Sequence, residues 1–158
     1  MQIIKYDPKY YEQVKDYQFE DDAFASHPIV LLERYKNKAN IEIFIGLNEE
    51  VMVAFGILDF SQSRLDYTDQ QKSVLIRGLS VEENQRGKGY SRQLMKYLID
   101  YVQQKCSEIS EIVLAVETEN EVGKQLYRSL NFIDNGRRLM GRSGEQQAWS
   151  LKLKHEGV

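Results

Sequence analysis

The feature that most restricts the fold is a pair of apolar, strand-length runs on either side of one amphipathic helical stretch. Val74–Val81 reads as a strand, Glu82–Lys88 as a polar connection, and the chain from about Gly89 to Tyr101 as an amphipathic helix. Ile112-Val113-Leu114-Ala115-Val116 is an unbroken apolar run, the mark of a strand buried on both faces. Strand, helix and strand in that order make a right-handed crossover with the two strands parallel. The connection into the helix holds Arg86-Gly87-Lys88-Gly89. A helix start leaves four N–H groups unpaired and carries about half a positive charge. Glycine there lets the backbone take φ > 0 and come close to a ligand. Two glycines and two cations at a helix mouth predict an anion site, with phosphate the natural occupant.

The rest of the chain arranges itself around this unit. Gln2–Tyr6 is a short strand; Asp7-Pro8 starts a helix expected to reach about Phe19, with Tyr10 and Val14 at helical spacing. Pro28 to about Lys36 is a second helix. Ile41–Ile45 and Val51–Phe60 are strands joined through Asn48-Glu49-Glu50 as a hairpin. Gly56 inside the second strand marks a bulge or a close approach to the backbone. Ser61–Gln71 is a polar loop of about ten residues, a length often tied to function. After the crossover, Asn120 caps a helix carrying Val122, Leu126 and Leu130 on one stripe, and Asn131 closes it in the left-handed conformation. Phe132–Leu139 and Gln147–Leu153 form a closing antiparallel pair with Trp149, Leu151 and Leu153 on one face. The expected fold is α/β (α+β): a mixed sheet of about seven strands, antiparallel at its start and parallel at its centre, with about four helices.

Composition narrows the function classes. A chain of 158 residues, read as one domain over 1–158, can bury about two-thirds of its unfolded surface. Its net charge of −3 argues against a general nucleic-acid binder, although Arg86, Lys88 and Arg92 make a local basic patch. Cys106 is the only cysteine, so no internal disulfide forms and a reducing cytoplasm is the expected compartment. No apolar run approaches the roughly 18 residues of a membrane span, and the first residues lack a signal-peptide pattern. Neither a nucleic-acid nor a membrane partner is expected. His27, His155 and Cys106 make no metal-ligand cluster.

Spacing then sorts the phosphate loops. A Walker loop needs a hydroxyl directly after Gly-Lys, and this chain has Gly87-Lys88-Gly89-Tyr90. A dinucleotide loop needs a third glycine where Arg92 stands. Asn84-Gln85-Arg86-Gly87-Lys88-Gly89 instead resembles the acetyl-CoA signature Q/R-x-x-G-x-G/A of the GNAT superfamily of N-acetyltransferases, with Asn84 in the slot usually given to Gln or Arg. Further matches support it. Leu79-Ser80-Val81 precedes the loop as a strand end of the family would, with a bulge. Asn120-Glu121-Val122-Gly123-Lys124-Gln125-Leu126-Tyr127 resembles N-x-x-A-x-x-L-Y, with Gly123 for Ala, and Leu130-Asn131-Phe132 resembles L-G-F. The match covers roughly residues 74–133; the first 70 residues agree in element order only.

The resemblance implies a GNAT-like sheet splayed between its central parallel strands, and acetyl-CoA as cosubstrate without a metal. It places the CoA pyrophosphate on the N–H groups of Arg86, Gly87, Lys88, Gly89, Tyr90 and Ser91. The main chains of Leu79 and Val81 would pair with the pantetheine arm, and Asn120 would touch it while capping its helix. Tyr127 would protonate the departing thiolate. An amine with a pKa near 10 must lose a proton before it attacks. Glu117, at the end of the buried strand, is the base favoured by spacing, with Glu20, Asp21 and Asp22 as alternatives, since the central strand offers Arg77 and no acid. The acceptor expected is a small cationic amine, on the strength of Glu20–Asp22 and Glu82-Glu83. A peptide terminus or lysine, and a non-catalytic acyl-CoA sensor, stay open beside it, as does monomer against homodimer.

Overall fold

The computed structural model describes residues 1–19, 26–141 and 143–154. Its strands are β1 (Gln2–Lys5), β2 (Ile41–Asn48), β3 (Val51–Asp59), β4 (Ser73–Val81), β5 (Glu111–Glu117), β6 (Ile133–Gly141) and β7 (Gly144–Lys152). Its helices are α1 (Tyr11–Lys15), α2 (Pro28–Tyr35), α3 (Tyr90–Lys105) and α4 (Glu121–Ser129), with short 3₁₀ turns at Pro8–Tyr10, Gln62–Asp66 and Glu83–Gln85. The strands make one sheet in the order β1-β2-β3-β4-β5-β7-β6. Only β4 and β5 run parallel; every other neighbouring pair is antiparallel. The expected mixed sheet and its crossover are therefore present. No helix among the described residues is long and apolar enough to cross a membrane.

Strand alternation explains the layers. Phe44, Leu58, Val74, Ile76, Ile112, Leu114 and Val116 turn to the face covered by α3, which buries Leu94, Met95, Leu98 and Val102 against them. Trp149 joins this core, with Leu151 and Leu153 packed against it, as their spacing predicts. On the other face Ile43, Ile45, Phe55 and Ile57 pack against Val14 and Leu32 from α1 and α2. Each of these fully buried aliphatic or aromatic side chains contributes about 1.5–3 kcal/mol relative to exposure.

Three local features depart from the pattern read in the sequence. The first helix stops at Lys15 instead of reaching Phe19. Tyr17 and Phe19 are both buried, and a spacing of two on one face is extended geometry that a helix cannot supply. Val122 is 80% exposed and does not extend the buried stripe of Leu130. The polar loop after β3 is also not structureless. Asp59 accepts hydrogen bonds from the Ser61 N–H and the Ser63 hydroxyl and seeds the turn at Gln62–Asp66.

The hairpin between β2 and β3 forms with Glu49 and Glu50 as its two turn residues, both at positive φ. That conformation costs an L-residue roughly 1–2 kcal/mol. The N-terminal segment offsets part of it. The Tyr10 hydroxyl donates to Glu50 at 2.7 Å, and the Gln13 amide donates to the Glu50 carbonyl at 2.8 Å.

Candidate active site

The sheet opens where β4 and β5 part. Their pairing runs only from Ser73–Glu111 to Ile76–Leu114. Beyond it, β4 carries an extra residue relative to β3, with Ile57 opposite Arg77 and Phe55 opposite Ser80. Gly78 takes up that bulge at φ +67°. A Cβ built on it would stand 2.7 Å from Leu31 Cδ1, so glycine answers both the conformation and the space. Gly56 faces the same bulge, and a Cβ there would sit 3.4 Å from Leu79 and Leu94. From Arg77 onward β4 has a strand partner on one side only. The Glu82 N–H donates to Val53 on β3, so the N–H of the preceding Val81 points to the open side.

The parting leaves a cleft of about 800 Å³. Leu79, Val81, Arg86, Gly87, Gly89, Tyr90, Ser91, Glu117, Asn120 and Tyr127 all line it. Lys88 does not; it is exposed and donates to Gln85 at 2.9 Å. Glu82 and Glu83 also lie outside the lining, so that part of the motive for a cationic acceptor falls away. Glu20, Asp21, Asp22 and His155 lie outside the described residues.

At the mouth of α3, Gly87 and Gly89 have φ of +79° and +80°. Gly89 is the N-cap, and no side chain caps the helix. A Cβ on either glycine would meet nothing within 4 Å. These glycines therefore serve no packing contact; they set the turn and leave the first N–H groups of α3 bare. That fits the pyrophosphate cradle of the resemblance. Nearby cations are held in place: the Arg86 guanidinium lies 5.4 Å from the Phe19 ring centre, and Arg92 donates to Ser129 at 2.6 Å.

Across the gap, Asn120 accepts from the Gly123 N–H at 3.0 Å and caps α4. A Cβ at position 123 would stand 2.7 Å from the Asn120 amide, so glycine leaves room for the capping side chain. Seven residues after Asn120, Tyr127 packs edge-on against Phe132 with ring centres 6.2 Å apart. Burial pushes its hydroxyl up to about 12, so it keeps its proton across the neutral range. Asn131 is left-handed at φ +73°, as its position after the helix predicts.

Glu117 is 7% exposed. One carboxylate oxygen accepts from the Gln146 amide at 2.9 Å; the other, Oε2, is buried without a partner among the described residues. Leu75 and Val113 occupy the sheet face opposite α3, and alternation puts Arg77, Ala115 and Glu117 on that same face. Tyr127 belongs to the α3 side. The two ionisable groups thus approach the gap from opposite faces. Arg77 is held by its neighbours: it ion-pairs with buried Asp59 at 2.9 Å and donates to Tyr35 and Ser63. His27 caps α2, with Nδ1 accepting from Ile29 and Nε2 against the Tyr17 carbonyl. Sequence reasoning missed Gln146 and Val122 in the cleft wall. No local signal marks Gln146, which meets Glu117 only through the β5–β7 register.

A mixed sheet opened between its two parallel strands, with a glycine-formed helix mouth at the opening, is the architecture of the GNAT acetyltransferases. The family model described as Acetyltransferase (GNAT) matches residues 6–132, and the chain belongs to that family. The Uncharacterized N-acetyltransferase YbbJ of Bacillus subtilis (strain 168) is 30% identical over 144 residues, covering 89% of this chain and 90% of that protein. The ribosomal-protein-S18-alanine N-acetyltransferase of Escherichia coli superposes with a TM-score of 0.74 at 17% identity, over 99% of this chain and 97% of that one. A chimera of the Vibrio cholerae spermidine N-acetyltransferase reaches 0.72 at 15% identity, covering 96% of each chain. At those identities the structural likeness is one of fold.

Proposed function

We propose that the protein transfers an acetyl group from acetyl-CoA to a primary amine by direct attack in a ternary complex. One observation carries this reading. A buried carboxylate with a free oxygen shares a cleft with a half-buried tyrosine and an uncapped helix start. Held at the N–H groups of Arg86 to Ser91, acetyl-CoA supplies an activated acyl group at its thioester. The Val81 N–H offers a donor along the open edge of β4, and Leu79 extends that edge. Asn120 orients the arm from the α4 side. Glu117 takes the ammonium proton at Oε2, and Tyr127 holds a proton at Oη for the departing sulfur. A module that only bound acyl-CoA would need neither group.

The acceptor we infer is a small cationic amine. Glu117 is the only acid in the cleft lining among the described residues, while Arg77, Arg86 and Arg92 are occupied by Asp59, Phe19 and Ser129. An uncompensated buried carboxylate favours an ammonium partner. A screen of thiol release from acetyl-CoA, with polyamines, amino sugars, amino-acid derivatives and short peptides, tests the reading. Polyamines or amino sugars are expected to lead. Peptides as the only acceptors would overturn the small-amine assignment. Acetyl-CoA binding with no amine-dependent release would overturn the enzyme assignment.

A further inference from the structure

We infer that Gln146 is the positioning residue for Glu117, and that Gly141 is glycine so that Gln146 can hold that carboxylate; this rests on Glu117 being the base. Gln146 stands opposite Glu117 in the β5–β7 ladder and opposite Leu139 in the β6–β7 ladder. Its side-chain amide gives Glu117 Oε1 its one partner among the described residues, at 2.9 Å. Fixing Oε1 leaves a single direction for Oε2, the buried oxygen without a donor. A carboxylate free to rotate would divide its time between orientations; the Gln146 amide favours one.

What holds Gln146 is the end of the closing hairpin. Gly141 pairs with Gly144 there. A Cβ on Gly141 would lie 2.7 Å from both the Gln146 carboxamide carbon and its nitrogen, and 3.0 Å from Cγ. The bare Cα is the floor on which the amide lies. Gly141 is absent from the glycines at positive φ, so alanine suits its backbone, and the three heavy atoms nearest the added methyl all belong to Gln146. The last hairpin of the chain thus sets the direction of a proton acceptor on a strand some 25 residues earlier. Neither Gln146 nor Gly141 belongs to the motifs that carry the resemblance.

The test uses G141A, Q146L and their double variant in the full chain, with E117Q as the reference. The carboxyl carbon resonance of Glu117 in ¹³C-labelled protein, assigned by its loss in E117Q, reads the hydrogen bond without any acceptor. It should shift in Q146L and G141A alike and move no further in the double variant. With the fastest amine of the screen, each variant should lower kcat about tenfold, the scale of one hydrogen bond to a charged group. KM for acetyl-CoA should stay within twofold. In the E117Q background Q146L should lower kcat no further, because a positioning residue acts only through the group it positions. An unmoved Glu117 resonance in Q146L, or kcat at the wild-type level in both single variants, overturns the inference. Wild-type turnover in E117Q refutes the base itself, a separate failure visible without any Gln146 variant.

Discussion

Gly89→Ala separates what the helix mouth does for the fold from what it does for a ligand. Gly89 is at φ +80° with nothing within 4 Å of an added Cβ. Alanine in that left-handed region costs roughly 1–2 kcal/mol. A stiffer unfolded chain returns about 0.4–1 kcal/mol. The net loss is about 1 kcal/mol, which lowers Tm by about 2–4 °C in a domain of this size. Position 89 lines the cleft, and the proposed anion site is the run of bare N–H groups that begins there. Displacing a charged oxygen from one such donor removes about 1.5–3 kcal/mol, or roughly ten- to hundredfold in Kd for acetyl-CoA. Gly136→Ala is the control: φ is +91°, the surroundings are as open, and position 136 is outside the cleft lining. It should show the same fall in Tm with unchanged affinity. Differential scanning calorimetry of the free protein and titration calorimetry with acetyl-CoA measure both. Equal affinity in Gly89→Ala and wild type, at the expected Tm, would refute the helix mouth as the anion site.

Tyr127→Phe should bind acetyl-CoA normally and lower kcat by roughly 10²-fold, the scale of a general acid; wild-type turnover would remove Tyr127 from the reaction. Burial raises Tyr127 to about 12, and Tyr17 is raised further for the same reason. The folded state therefore keeps protons that unfolded tyrosines release near pH 10. Stability should be intact below about pH 10 and fall as pH rises toward about 12, seen as declining urea midpoints; flat midpoints would contradict the burial of these hydroxyls. Arg77→Met leaves the 1%-exposed Asp59 without its cation and should cost about 3 kcal/mol. A loss below about 1 kcal/mol in urea unfolding would mean that the Ser61 and Ser63 donors suffice for Asp59.

What the sequence made legible follows the range of the physics behind it. The crossover from Val74 to Val116 announces itself because apolar runs and glycine turns are local signals. The turn at Glu49-Glu50 and the left-handed Asn131 fall to the same kind of rule. The end of α1 does not, because the helix period of Tyr10 and Val14 runs on through Tyr17, although Tyr17 and Phe19 are buried in the extended period. Val122 fits the stripe of α4 on paper, yet the cleft removes the neighbour that would have covered it. Gln146, Gly141 and the Asp59–Arg77 pair are set by register between strands distant in sequence, and a single residue of slip would undo each of them. Half of the site was thus written in motifs and half in strand registration.

The four-rung contact between β4 and β5 has one further consequence. A flat sheet of seven strands exposes two raw edges, here β1 and β6, and such edges invite pairing with foreign strands. Parting β4 from β5 creates a second, inner pair of edges. Aggregation through them is blocked by geometry, because each is the far wall of the other and the space between them is a cleft, not an open flank. A second protein's sheet cannot enter; a single extended thread can. The same break in the ladder that makes hydrogen-bonding groups available also sorts visitors by width, before any side chain has read their chemistry.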